Sequence, residues 1–278
     1  MRLIDSHAHL NADRFDDDVD HVIGDARLAG VERILVPGWN HRSSARALEL
    51  VARRPLLDAA VGVHPHDAAR ATPAEWADIE AWARDGRVVA IGETGLDSDR
   101  MFSPWEAQLD NLRANLALAL ATGKPAILHC RSRAGERDAQ DALVRELRSA
   151  GFNGPAARAV FGGRPPAVIH SYSGPLDFAE SALAMGLAVS FSGLVFRRGE
   201  EASADAVALV PGERLLVETD SPFLSPPGAP RGRNQPGFVA ITADWVAERR
   251  GVGEDSIEAF GDALVAVYDA TFPRSLHR

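Results

Sequence analysis

Val88-Val89-Ala90-Ile91-Gly92-Glu93 is a short apolar run closed by a carboxylate. A run of this length reads as a buried strand, and a charge at its end has to be paired or put to use. The form recurs along the chain in Ile4-Asp5-Ser6-His7-Ala8-His9, Ala126-Ile127-Leu128-His129, Ala167-Val168-Ile169-His170 and Leu215-Leu216-Val217-Glu218-Thr219-Asp220. Side chains at the C-terminal ends of parallel strands are where an α/β barrel assembles its active site. The set points to a metal-dependent hydrolase.

Around these runs the periodicity predicts strands near 2–6, 32–36, 57–62, 88–92, 125–129, 166–170, 187–191 and 214–218, with helical patterns between them such as Pro104 to Ala121 and Arg137 to Ala150. Eight strands alternating with helices favour a closed (β/α)8 TIM barrel over an open doubly wound sheet. A chain of 278 residues with 46% hydrophobic content can fill one such barrel, which needs roughly 250 residues. The expectation is a single α/β domain over 1–278. Two Gly- and Pro-rich segments interrupt the rhythm. Gly151 to Pro166 precedes the sixth strand and belongs to the N-terminal face. Leu224 to Gly237 follows the eighth and belongs to the C-terminal face, where function is expected.

A formal charge of −9 argues against a protein that coats nucleic acid through a broadly basic surface, so any phosphate recognition must be local. Cys130 is the lone cysteine, which rules out an internal disulfide and fits a reducing cytosol. It neighbours His129 on a strand, so it faces the helix layer if His129 faces the site. No charged-then-apolar leader opens the chain, and no apolar stretch approaches the ~18 residues that span a bilayer. A soluble, cytoplasmic protein without membrane contact or an obligate protein partner is expected.

His7 and His9, two apart on a strand, project from one face and can grip one ion together. Six of the nine histidines (7, 9, 64, 66, 129 and 170) fall at predicted strand C-termini, which scattered core or surface histidines would not do. Glu93 and Asp220 add anionic oxygens, and one carboxylate can bridge two ions roughly 3.5–4 Å apart. The assignment gives one ion His7, His9, Glu93 and Asp220, and the other Glu93, His129 and His170. Taken singly, each residue also fits a capping carboxylate or a hydrogen-bonded core histidine; the joint pattern does not. In Gly62-Val63-His64-Pro65-His66, His64 is a candidate to orient substrate or ligands, while His66 fits a Pro-fixed turn equally well. Arg131 and Arg133 follow His129, and Arg231 and Arg233 follow Asp220, so two pairs of forked donors suited to phosphate flank the ions. Arg100, Arg197 and Arg198 are read as solvated, as are His21, His41 and His277.

The motifs Ile4-Asp5-Ser6-His7-Ala8-His9-Leu10, Gly62-Val63-His64-Pro65, Ile91-Gly92-Glu93-Thr94-Gly95-Leu96-Asp97, Ile127-Leu128-His129-Cys130-Arg131, Ile169-His170-Ser171-Tyr172-Ser173-Gly174 and Glu218-Thr219-Asp220-Ser221-Pro222 together resemble the TatD family of metal-dependent deoxyribonucleases, within the amidohydrolase-like barrels. The resemblance runs in order along nearly the whole chain. It implies a two-metal barrel that removes nucleotides from DNA as an exonuclease, typically with Mg²⁺ and with Mn²⁺ or Zn²⁺ as alternatives, in DNA repair or turnover. It implies His7, His9, Glu93, His129, His170 and Asp220 as the metal ligands. The chain departs from the family pattern at Ser98, where an aromatic usually follows Gly-Leu-Asp.

The expected reaction is phosphodiester hydrolysis by a water activated between two divalent ions, with Asp220 accepting its proton, Glu93 bridging, and His64 and the arginines holding substrate. The substrate is DNA, single-stranded or at a 3′ end, with RNA as a further possibility. Three rivals share the metal set: a small-molecule amidohydrolase or esterase, a deacylase removing D-amino acids from tRNA, and a metal-loaded scaffold without turnover. Many amidohydrolases bridge their ions with a carboxylated lysine, but Lys124, the only lysine, precedes the fifth strand at the wrong end of the barrel.

Overall fold

The computed structural model describes residues 1–274, so His277 lies outside the described residues. Eight strands, β1 (Leu3–Asp5), β2 (Val31–Pro37), β3 (Leu57–Val61), β4 (Val88–Asp97), β5 (Ala126–Arg131), β6 (Ala167–Ile169), β7 (Ala188–Phe191) and β8 (Leu215–Val217), pair in parallel in chain order. Backbone hydrogen bonds from Ser6 to Val217 (3.1 Å), from Asp220 to His7 (2.9 Å) and from His9 to Ser221 (2.7 Å) close the ring between first and last strands. Buried runs such as Ala59-Ala60-Val61, Ala126-Ile127-Leu128 and Leu215-Leu216-Val217 fill the core, as both faces of a parallel barrel strand demand. The fold is the expected (β/α)8 barrel.

Ten α-helices, α1 (Val19–Leu28), α2 (His41–Val51), α3 (Pro73–Trp82), α4 (Trp105–Thr122), α5 (Asp138–Ser149), α6 (Pro155–Phe161), α7 (Leu176–Ala184), α8 (Glu201–Leu209), α9 (Val239–Arg249) and α10 (Ile257–Thr271), and six short 3-10 turns accompany the strands among the described residues. Local chemistry sets their ends. Asn40 with Ser43 and Thr72 with Glu75 form capping boxes at α2 and α3, and Gly123 in the left-handed conformation stops α4. The Gly- and Pro-rich segment before β6 is not all loop: Pro155 starts the short α6 and Gly162 ends it. At the N-terminal end of the barrel, Lys124 Nζ donates to the carbonyls of Ala83 (2.6 Å) and Asp85 (2.8 Å), far from any chemistry. Buried Asp58 accepts from Arg33 (2.7 Å), Arg274 (2.8 Å) and the Tyr268 hydroxyl (3.0 Å), which ties α10 and the segment after it to the barrel.

One strand departs from expectation in a way that positions the site. β4 was expected to end at Gly92; it continues to Asp97, so Glu93 lies within the strand and not beyond it. Against β5, Ile91 pairs with Ala126 and Thr94 with Leu128, three steps on one strand against two on the other. Such a bulge re-aims a side chain, and the one it re-aims is Glu93. Gly92 (φ 134°) and Gly95 (φ 137°) supply the backbone conformations required. At Gly95 a Cβ would stand 1.9 Å from the His129 carbonyl oxygen, so the close approach of β4 to β5 needs glycine here. Gly95→Ala should therefore destabilise the fold by about 2–4 kcal/mol, the sum expected of overpacking and backbone strain. Urea unfolding measures this, and a midpoint equal to the parent's would mean that β4 and β5 separate without cost.

Candidate metal centre

The residues expected as ligands come together at the C-terminal mouth of the barrel. His7 and His9 leave β1 on backbone that β8 holds from the other side. Buried Asp5 accepts hydrogen bonds from the His7 amide (3.2 Å), the Thr219 amide (3.0 Å) and the Thr219 hydroxyl (2.6 Å), so one carboxylate fixes the ends of both strands. Asp220 then turns inward with φ 53°, a left-handed conformation that Asp tolerates better than most residues. His7 Nε2 lies 3.2 Å from His9 Nε2, 3.3 Å from Glu93 Oε2 and 3.8 Å from Asp220 Oδ1; His9 Nε2 lies 3.6 Å and 3.4 Å from the same two oxygens. Of these, His7, His9 and Glu93 each offer a ligand atom within 4.8 Å of one another, close enough together to hold one divalent ion, with the Asp220 carboxylate at the two imidazoles.

The other Glu93 oxygen, Oε1, faces a second set: His170 Nε2 at 2.9 Å, His64 Nε2 at 3.2 Å and His129 Nδ1 at 3.3 Å. His170 Nε2 is buried and makes no hydrogen bond despite that proximity, which fits a lone pair aimed at a shared cation. Outer carboxylates orient the rings. Asp97 Oδ2 contacts His66 Nε2 (2.7 Å) and His129 Nε2 (3.2 Å), and Glu218 Oε1 contacts His170 Nδ1 (3.2 Å) while accepting from the Ser171 amide (2.6 Å). Carboxylate–histidine pairs of this kind fix the tautomer a metal ligand needs. The donors present, imidazole nitrogens and carboxylate oxygens, suit divalent ions.

The electrostatics agree. Burial alone would raise Glu93, but the charges of His170, His64 and His7 hold it well below the carboxylate range. Burial pushes His64 down to about 4 and also lowers His7, so both are neutral near pH 7 and their lone pairs are free. For His129 burial is outweighed by hydrogen bonds to Asp97 and Glu93, and for His170 by the charge of Glu93 and the hydrogen bond to Glu218; both are raised. Burial acts to raise Asp97, yet hydrogen bonds from His129 and His66 keep it ionised.

The remaining expectations divide. His64 lies nearer the centre than an orienting role required. Arg131 lines the same cavity, of about 580 Å³, with its Nε 2.9 Å from Asp99. Arg100, set aside as solvated, lines it too. Arg133 faces a separate recess with Ser98, Trp105 and Glu136, and Arg231 is exposed. Arg233 corrects the expectation of a phosphate clamp: its guanidinium pairs with Asp18 (2.6 Å) and lies 4.2 Å over the Phe15 ring, so it pins the 224–237 loop to the start of α1. Asp97 and Glu218 were missed as supporting groups. Each was legible as a charge on a buried strand or at its end. Trp39, Phe102 and Phe223, also in the cavity wall, carry no pattern a sequence could show.

Comparison with known proteins converges on one family. A TatD related DNase family model matches residues 4–265. The "uncharacterized metal-dependent hydrolase YabD" of Bacillus subtilis is 36% identical over 246 residues, covering 88% of this chain and 90% of its own. The "3′-5′ ssDNA/RNA exonuclease TatD" of Edwardsiella piscicida is 36% identical over 255 residues, covering 89% and 92%. The crystal structure of YJJV, a TatD homologue from Escherichia coli K12, superposes with a TM-score of 0.83 at 28% identity and covers 98% of both chains.

The raised His129 and His170 fix the sign of a pH effect. Each holds its proton to higher pH than a free imidazole, and a metal must displace that proton, so ion uptake should release protons and strengthen as pH rises. Calorimetry in buffers of different ionisation enthalpy reads the release directly. Buffer-independent heats, with affinity unchanged from pH 8 to pH 5, would contradict ligation through these imidazoles.

Proposed function

The chain belongs to the TatD-related DNase family of metal-dependent hydrolases, and from that membership and the geometry of Glu93 we propose that it is a two-metal exonuclease acting on single-stranded DNA, and on RNA, from the 3′ end. One observation carries the proposal. A single buried carboxylate presents one oxygen to His7 and His9 and the other to His64, His129 and His170, the arrangement by which one group bridges two ions. His7, His9 and Asp220 complete the first set. His129 and His170 complete the second, with His64 beside them.

Divalent ions bound there, typically Mg²⁺ with Mn²⁺ or Zn²⁺ as alternatives, supply Lewis acidity that eases loss of a proton from water and offsets charge on phosphate. The chain's own groups do the rest. Asp220, ionised and open to the cavity, takes the proton of the attacking water on its carboxylate. Arg131 and Arg100, both on the cavity wall, hold phosphate oxygens through forked donors. No Ser or Cys nucleophile is needed: Cys130 is buried, and burial pushes its thiol up, away from the reactive thiolate. Among the described residues no helix is long and apolar enough to cross a membrane. We place the enzyme in the cytoplasm, in keeping with its lone thiol.

Incubation of purified protein with 5′- and 3′-labelled single-stranded DNA and RNA, and with ester and amide substrates, across Mg²⁺, Mn²⁺ and Zn²⁺, tests this. Nucleotide release from the 3′ end that stops on chelation is expected; turnover of esters or amides without nucleotide release would overturn it. Glu93→Gln, nearly isosteric, should lose both ions and turnover while keeping the fold. Two ions retained with full turnover would remove Glu93 as the bridge. Binding of single-stranded DNA should weaken with salt at a logarithmic slope of about −0.7 per phosphate neutralised, and Arg131→Ala should flatten it by roughly one phosphate without changing metal content. An unchanged slope would take Arg131 out of phosphate binding.

A further inference from the structure

Of the seven large apolar side chains exposed among the described residues, two are aromatic, Phe102 (62% exposed) and Phe223 (53% exposed), and both line the cavity over the histidine cluster. They rise from the loops that follow β4 and β8, strands four places apart in an eight-stranded ring and therefore on opposite sides of the mouth. Each ring stands nearly perpendicular to a histidine of the site, Phe102 to His66 (4.7 Å, 81°) and Phe223 to His9 (6.0 Å, 72°).

The backbone holds both rings out on purpose-built turns. Met101 (φ 50°), immediately before Phe102, and Leu224 (φ 52°), immediately after Phe223, are two of the four non-glycine residues with positive φ among the described residues. Both loops are also pinned. Ser103, next to Phe102, donates from its hydroxyl to the His66 carbonyl (2.9 Å), and its own carbonyl accepts from Gln108 (2.9 Å). Buried Asn234 donates to the carbonyls of Phe223 (2.6 Å) and Thr219 (2.9 Å). A phenyl ring held in water by ordered, strained backbone is a preorganised flat surface.

We infer that Phe102 and Phe223 form a two-sided stacking clamp that seats one unpaired nucleobase on each side of the scissile phosphate, so that the clamp selects single strands of at least two nucleotides. The inference rests on the exonuclease proposed above. Every base has a face that stacks on an aromatic ring irrespective of sequence, whereas both faces of a base inside a duplex are already covered. The opposed placement puts the phosphate between the rings, over Glu93 and beside Arg100 and Arg131.

The experiment is a substrate–variant cycle on the metal-loaded protein. Phe102→Ala and Phe223→Ala should each lower kcat/KM on a single-stranded oligonucleotide about tenfold, mainly through KM, which is within the usual worth of one base–aromatic stack. Phe→Leu should behave like Phe→Ala, since it keeps apolar bulk but not the flat face, and Phe→Tyr should restore the parent's rate. Metal content and melting midpoint should not move. Placing a baseless deoxyribose at the terminal nucleotide should erase the loss for one variant, and placing it at the penultimate nucleotide should erase it for the other. Variants that digest the normal strand like the parent, or that lose equally on normal and baseless substrates, overturn the clamp and leave the exonuclease standing. A parent that digests no single strand with any of the three ions, yet hydrolyses other esters, overturns both.

Discussion

A carboxylate taken out of water costs several kcal/mol unless positive charge meets it, and Glu93 is buried at the centre of this barrel with five histidine nitrogens within 3.6 Å of its two oxygens. The surrounding structure serves that requirement. The extra residue in β4 turns the carboxylate inward, Gly95 lets β5 come close enough to present His129, and the hydrogen bonds joining β1 to β8 bring His7, His9 and Asp220 to its other side. Asp97 and Glu218 then hold the rings in the orientation a cation needs. The charge of Glu93 in turn helps to raise His129 and His170 above the ordinary histidine value.

The two ends of the barrel divide the labour. At the N-terminal end charges are spent on stability: Arg33 and Arg274 on Asp58, Lys124 on two carbonyls. At the C-terminal end the backbone itself is strained. Met101, Ser171, Asp220 and Leu224, the non-glycine residues with positive φ among the described residues, all follow β4, β6 or β8 on the face that carries the histidines. Strain tends to collect where side chains must point against their local preference. Here it falls at Asp220, at the neighbour of His170, and beside the two phenyl rings of the mouth.

The arginines of this chain of net charge −9 are not equivalent in their surroundings. Several are neutralised by a nearby acid, as Arg233 is by Asp18 and Arg54 by Asp20, and so contribute little to the field at the mouth. Arg100 and Arg131 differ in lining the cavity itself, sharing Asp99 between them. On the proposed function, recognition of phosphate would rest on these few donors beside the histidine cluster, with aromatic faces instead of further charge to hold the rest of the strand.

The barrel, its strand order and the convergence of His7, His9, Glu93, His129, His170 and Asp220 were legible in the sequence, because each rests on a local pattern: an apolar run of strand length, and a ligand at its C-terminal end where every parallel strand opens onto the same face. The partner of each arginine was not. Arg233 is two residues from Arg231 and close in sequence to Asp220, yet its guanidinium reaches Asp18, more than two hundred residues away, and only the folded loop makes that contact. The bulge in β4 was likewise hidden, since register depends on the facing strand. So was the pairing of Phe102 with Phe223 across the mouth, which exists only because the ring of strands closes and sets the fourth opposite the eighth. Periodicity within one segment determines what that segment buries; which distant segment it meets is decided by closure and packing of the whole.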